Sequence, residues 1–370
     1  MIAIDKGNIA RWKIDTPFEN WLSRRADNSN LFKTLYCTYY SVFDKKYYKN
    51  GIAMAEKVYN TYNGQELFGN NKKAVIKDMI YCLHRFGFSF NEYFLYELYK
   101  KNTMGRDEFV ADKMRYEYYC IMNTDEGKKL LRDKGKTYEL FKPYFKRECL
   151  KVYSVEDRQS FLDYVKKHDR FIYKPIGEDC GRGVRIITSL EHEPEKLFDE
   201  LLASGHFILE ELICQSDEMA KFHKSSINTV RVVTINCKDG VHALYSFYRM
   251  GRGGAIVDNA GAGGIFAEVD IKSGIVFSKA ISEYTNESYF IHPDSGEMIL
   301  GYQLPDWEDA IKLVKQMALV IPEMKHIGWD LAHTDNGWVL VEANGSGQPV
   351  SQMASKRGIK KELMKCMENL

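Results

Sequence analysis

The chain has 370 residues, long enough for two or three domains and a sizeable core, which excludes a solitary small module. Lys and Arg total 52 against 51 Asp and Glu, so the net charge of +1 offers no field for nucleic acid or an anionic membrane, and any phosphate must be met locally. Eight cysteines without a C-x-x-C pair argue against a zinc site and a disulfide framework, and no run approaches the roughly 18 apolar residues of a membrane-spanning helix. Met1-Ile2-Ala3-Ile4-Asp5-Lys6 lacks a signal-peptide pattern, so the expectation is a cytoplasmic protein with reduced thiols.

The first 145 residues hold 16 of the 24 tyrosines and read as a string of helices broken at Asn50-Gly51, Asn63-Gly64, Gly69-Asn70 and Gly105. Val110, Met114, Tyr118, Ile121 and Met122 recur at helical spacing, predicting one apolar stripe that is core or interface. The pairs Tyr39-Tyr40, Tyr47-Tyr48 and Tyr118-Tyr119 suit half-buried packing with the hydroxyl at the rim better than a stacking surface for sugars or bases. Apolar stripes of this kind also suit a homodimer. From about residue 146 the pattern changes to short β-branched and aromatic runs between glycine turns: 171–173, 184–187, 207–209, 230–235, 241–248 and 264–271. Helices are predicted over 154–167 and 307–321, and the sum is an α+β layered fold behind a mainly helical N-terminal region.

Lys174 ends the first of these runs and is followed by Pro175 and a loop with glycines at 177, 181 and 183. Such glycines let backbone amides approach a phosphate while the lysine supplies a point charge; a glycine-rich hairpin turn with a surface lysine is the competing reading. No G-K-[ST] ending follows, so this is not a Walker loop, and Cys180 lacks a nearby histidine base. Next, the run at Phe207 ends in Glu210 and Glu211 and leads to Asp217-Glu218. Backbone at such a strand exit can pair with an adenine edge and the acids with ribose, Glu218 first, unless the segment is a solvated acidic turn. Near the C-terminus, two apolar runs place Asp330, Glu342 and Asn344 at their ends. Glu342 and Asn344 fall on one side of a strand, and the three oxygens suit magnesium carrying a nucleotide, with solvent-facing strand-end carboxylates as the competing reading.

In this order of elements, and above all in Glu210-Glu211-Leu212 through Glu218-Met219-Ala220-Lys221 to the run Ser225 to Thr234, the chain resembles the ATP-grasp superfamily. Specifically it is similar to the sugar-transfer associated group found with bacterial surface polysaccharide genes, from about Gly127 to the end. The resemblance implies two α+β subdomains gripping ATP, 127–213 with the lid and hinge and 214–370 with the metal site, behind a helical domain 1–126. It also implies that Lys174 binds α- and β-phosphates, with Lys136 (Lys134 the alternative) as a second phosphate lysine. Gly181 and Gly183 would belong to the lid, and Glu210, Glu211 and Leu212 to the adenine hinge. Glu218 would take the ribose, and Asp330, Glu342 and Asn344 would hold Mg2+.

Arg231 suits the γ-phosphate or a developing oxyanion, with a structural salt bridge as the other reading, and Asn228 beside it is expected to face substrate. Many amide-forming members carry an arginine two residues before the first metal aspartate, whereas Gly328 stands there in this chain. Arg249, Arg252 and the loop around Asn259 could close over an acceptor or form a plain hairpin connection. The expected reaction is ATP-dependent joining of a small carboxylate, a uronic or amino acid, to an amine through an acyl phosphate. A phosphotransferase or a non-catalytic nucleotide-binding scaffold is the alternative, and no nucleic acid or membrane span is involved.

Overall fold

The computed structural model describes residues 17–43, 45–177, 182–254, 263–282, 287–345 and 351–370. The chain forms two compact units. One comprises the described residues up to Ile121 with those between Gln348 and Lys365, and the other runs from Met122 to Gly347 and takes in Cys366–Leu370.

The first unit is helical. The helix Lys72–Phe86 ends at Gly87 with φ 82°, a left-handed C-cap that glycine adopts without strain, and Ser89 starts Phe90–Leu95 with a capping box closed by Glu92. Its tyrosines are core residues: Tyr36, Tyr59, Tyr81, Tyr96 and Tyr118 are all but inaccessible. The phenols that reach polar partners find them inside the unit, Tyr93 donating to Asp78 at 2.8 Å and Tyr96 to Glu92 at 3.1 Å. Val110, Met114, Tyr118 and Met122 are buried as their spacing predicts. Gln352, fully buried, receives the amides of Val110 and Ile359 and donates to the Val110 carbonyl, which fastens the stretch after Gln348 to this unit.

The second unit holds two antiparallel sheets. Strands β1 (Cys149–Val152), β2 (Arg170–Pro175), β3 (Arg185–Thr188) and β4 (Phe207–Glu211) pair in the order β1-β4-β2-β3. Strands β5 (Thr229–Cys237), β6 (Gly240–Met250), β7 (Ile265–Val269), β8 (Ala280–Ser282), β9 (Ser288–Tyr289), β10 (His326–Thr334) and β11 (Gly337–Asn344) pair in the order β11-β10-β5-β6-β7-β8-β9. β2 to β7, β10 and β11 each contain a β-branched, aromatic or apolar run visible in the sequence; β1, β8 and β9 are not among the predicted runs. The helix at 307–321 ends at Ala318, and the one at 154–167 opens with a short 3-10 turn, Val155–Asp157.

Helices cover one face of each sheet. Phe161, Phe198 and Leu201 from Arg158–Lys167 and Pro194–Ala203 pack on Phe171, Tyr173, Phe207 and Leu209, so by strand alternation Ile172, Lys174, Ile208 and Glu210 lie on the other face. On the larger sheet, Lys134–Phe145 and Trp307–Ala318 cover Val230, Val232, Trp329 and Leu331, with Phe141 edge-on to Trp329 at 5.4 Å. Arg231 and Asp330 therefore face away from that core. Ile208 belongs to the core of the larger sheet while Phe207 and Leu209 belong to that of the smaller, so the uncovered face of β4 is turned toward the second layer.

Candidate active site

Register builds the first half of the site. Asp330 on β10 pairs with Arg231 on β5 and with Glu342 on β11, while Gly328 pairs with Asn344 and Thr229 with Arg249. Cross-strand neighbours lie roughly 5 Å apart, so five charged or amide side chains meet on one face without any loop to place them. A bulge after Asp330 breaks the alternation at the carboxylate. Arg231 grips Asp330 in a fork, Nε to Oδ1 and Nη2 to Oδ2, both at 2.5 Å. Arg249 reaches the same Oδ2 at 2.9 Å, steadied by two bonds to the Thr229 hydroxyl, and Asn344 Nδ2 donates to it at 3.3 Å. Asp330 is 2% exposed. Burial pushes its carboxyl up, but Arg231 and then Arg249 overcome it and hold the group below the ordinary carboxylate range.

The second half lies on the smaller sheet. Glu210 on β4, 3% exposed, accepts Lys174 Nζ at 2.8 Å on one oxygen and Arg147 on the other, Nε at 3.0 Å and Nη2 at 2.5 Å. Burial works to raise the Glu210 carboxyl, yet Arg147 and Lys174 outweigh it and bring it down to about 2. Arg147 has a third arm: Nη1 donates to the carbonyls of Phe145 at 3.2 Å and Leu340 at 2.6 Å. Leu340 lies on β11, two residues before Glu342, so this side chain joins the lysine-bearing sheet to the carboxylate-bearing one. Arg147 follows a left-handed residue, Lys146, at the end of a helix, and in the sequence it is one of two adjacent basic residues before Glu148. No periodicity or motif could have singled it out.

The remaining sequence-predicted residues divide. Arg231, Arg249, Asp330, Glu342 and Asn344 come together on the larger sheet, and Lys174 and Glu210 meet on the smaller one. Gly183 has φ 72°, and a Cβ there would lie 2.9 Å from the Pro175 ring, so glycine is required by both backbone and space. Gly181 and Asn259 lie outside the described residues, as does Cys180. Glu211 is exposed, its amide and carboxylate paired with the backbone of Glu148. Leu212 is partly buried at the start of the hinge to the larger sheet, which Ser216 ties down by its backbone and hydroxyl to His333 of β10. Glu218 is exposed beside an open cavity of about 600 Å³ lined by Lys221, Tyr302, Asp306 and Trp307, and its carboxylate is surrounded by Ser216, His333 and Asp306 rather than by Asp330. Lys136 is exposed in the first turn of Lys134–Phe145, 3.7 Å from Asp133.

Two placements differ from expectation. Asn228, read as facing substrate, is fully buried; its amide donates to Gln215 Oε1 and to the carbonyls of Met219 and His223, and accepts from Gly251 N. It pins the hinge to the strand, and its hydrogen-bonding capacity is used up in doing so. Arg252 is likewise engaged, donating to Gly263 O at 2.6 Å and to Tyr289 Oη at 2.8 Å.

The donor set fits magnesium in chemistry: two carboxylates and an amide whose nitrogen is turned to Asp330, leaving its oxygen as the ligand atom. The face balances two guanidiniums against two carboxylates, so a divalent cation would be matched by a nucleotide's phosphates. One other metal-type grouping occurs among the described residues, Cys237, Asp239 and His242 within 4.8 Å of one another at the β5–β6 turn, away from this face.

The sugar-transfer associated ATP-grasp family matches residues 113–368. No curated protein matches the chain. Among solved structures it is similar to D-alanine-D-alanine ligase from Helicobacter pylori, at 14% identity over 71% of this chain and 70% of that one with a TM-score of 0.41. It is also similar to D-alanine–D-alanine ligase from Bacillus anthracis complexed with ATP, at 12% identity over 65% and 66% with a TM-score of 0.37. For an L-amino acid ligase from Bacillus licheniformis the values are 11% over 65% and 48% with a TM-score of 0.39, so the chain spans about half of that protein. No helix is long and apolar enough to cross a membrane among the described residues. With a match over more than two thirds of its length, the chain belongs to the sugar-transfer associated ATP-grasp family.

Proposed function

We propose that the protein is an ATP-dependent carboxylate-amine ligase that forms an amide through an acyl phosphate. The observation that carries this reading is the pairing of two buried carboxylates, Glu210 and Asp330, each set between two basic side chains, on faces joined by Arg147. In it, Lys174 meets the α- and β-phosphates under the glycine lid, and the hinge backbone after Glu211 takes the adenine. Glu218, at the far end of the hinge, takes the ribose, and Lys136 is a second phosphate contact. Asp330, Glu342 and Asn344 hold magnesium, which when bound neutralises charge on the transferred phosphoryl.

The chemistry asks the chain for fixed positive charge and for no covalent nucleophile. A substrate carboxylate oxygen attacks the γ-phosphorus and ADP leaves; the amine then attacks the acyl carbon, loses a proton, and phosphate leaves. Negative charge on the phosphoryl and on the tetrahedral oxygen falls near Arg231 and Arg249, which Asp330 and Thr229 hold in place beforehand. These two occupy the part that Gly328 leaves open. On this reading the carboxylate is that of a uronic or amino acid in surface glycan synthesis, and the protein acts in the cytoplasm. A phosphate-release assay with Mg-ATP, pools of uronic and amino acids and pools of amines tests this, with Glu342→Gln as control. Release that requires both pools and vanishes in the variant supports the ligase; a stable phosphorylated product replaces it with a phosphotransferase, and ATP binding without turnover with a scaffold.

A further inference from the structure

We propose that Arg147 is a positioning residue that lets Lys174 leave Glu210 for an incoming phosphate. This rests on the reading of Lys174 as a phosphate ligand. Glu210 divides its oxygens: Oε1 takes the lysine and Oε2 takes the arginine twice. The two cations are anchored unequally. Arg147 is 5% exposed and spends its remaining donors on the Phe145, Leu340 and Val341 carbonyls, so it cannot follow a ligand. Lys174 is a point charge on a flexible stem at the end of β2, beside the glycine loop.

A carboxylate this deeply buried is costly to strand, and if Lys174 were its sole partner the lysine would be held against the phosphate. With Arg147 fixed on the other oxygen, Glu210 stays paired when Lys174 turns away. Glu210 and Arg147 thus store the lysine in the empty site and release it in the filled one. The backbone arms of Arg147 add a second effect, since they keep β11, and with it Glu342, at a set distance from the lysine.

The test uses the full-length chain with ADP and magnesium in calorimetry, and acetic anhydride labelling of Lys174 read by peptide mass spectrometry without nucleotide. Arg147→Gln is expected to weaken ADP binding about tenfold, the scale of one charge-assisted hydrogen bond. Adding Glu210→Gln to it should recover most of that loss, because nothing then retains the lysine. Lys174 labelling should slow in Arg147→Gln and quicken in Glu210→Gln. A merely structural arginine gives a double variant no better than the single one and leaves labelling unchanged, and either result overturns the proposal. Failure of the wild-type protein to bind ADP would sink the nucleotide reading, while labelling would still decide what Arg147 does to Lys174.

Discussion

In the smaller sheet one buried carboxylate, Glu210, sits between Arg147 and Lys174; in the larger sheet another, Asp330, sits between Arg231 and Arg249. The electrostatic problem is the same, since a carboxylate out of water needs cations that do not depend on solvent. The solutions differ in mobility. Both arginines of Asp330 project from strands whose register fixes them, whereas Glu210 has one arginine locked to backbone and one lysine with no backbone carbonyl among its described partners. On the proposed function, the sheet that would hold a metal gains from rigidity, and the sheet that would admit a nucleotide gains from one cation that can change partners.

The comparison breaks most visibly at Asp330. Asp330→Ala strands two buried guanidiniums and should destabilise the unit by about 3–5 kcal/mol while abolishing ATP turnover, as chemical denaturation and phosphate release would read. A loss under ~1 kcal/mol would mean the arginines relax into solvent and the face is not rigid.

One buried group on each sheet should lose its contribution in a different acid range. The folded Glu210 carboxyl titrates near 2, below its ordinary 4.5, so its contribution is complete above 4.5 and disappears as pH falls toward 2. That contribution is roughly 3 kcal/mol, and Glu210→Gln should flatten the stability profile in that window alone. His326, buried at the start of β10, is brought down by burial from 6.5 to about 4. The unfolded chain gains its proton below 6.5 and the folded chain does not, so stability falls between pH 6.5 and 4, again by roughly 3 kcal/mol. His326→Gln should flatten that higher window and spare the lower one; coincident windows would remove the distinction. The smallest effect belongs to Glu218, exposed on the hinge side: Glu218→Ala should leave the melting temperature unchanged and raise the KM for ATP several-fold if it holds the ribose. An unchanged KM assigns the ribose elsewhere.

Much of the fold was legible because its signals are local. Each long strand of the second unit carries its own β-branched run, the helical half its turn breaks and 3.6-residue stripe, and Glu342-Ala343-Asn344 its two-residue spacing. What was not legible depends on pairing across long separations. Arg147 and Glu210 are 63 residues apart, and Arg231 and Asp330 99. Asn228 shows the opposite failure: a polar residue beside a strand arginine reads as substrate-facing, and only burial against Gln215 and Gly251 reveals a structural pin.

The sequence by itself determined the sheet-forming segments, the helical first half and the order of lysine, glycine loop, acidic hinge, Asp330 and Glu342-x-Asn344, because propensity, periodicity and turn chemistry act within a dozen residues. Only the tertiary structure decided which charges meet. Strand register set Arg231 and Arg249 on Asp330 and Lys174 on Glu210, and layer packing set Arg147 there. The strength of a buried ion pair depends on distance and on exclusion of water, and neither exists until the sheets are assembled.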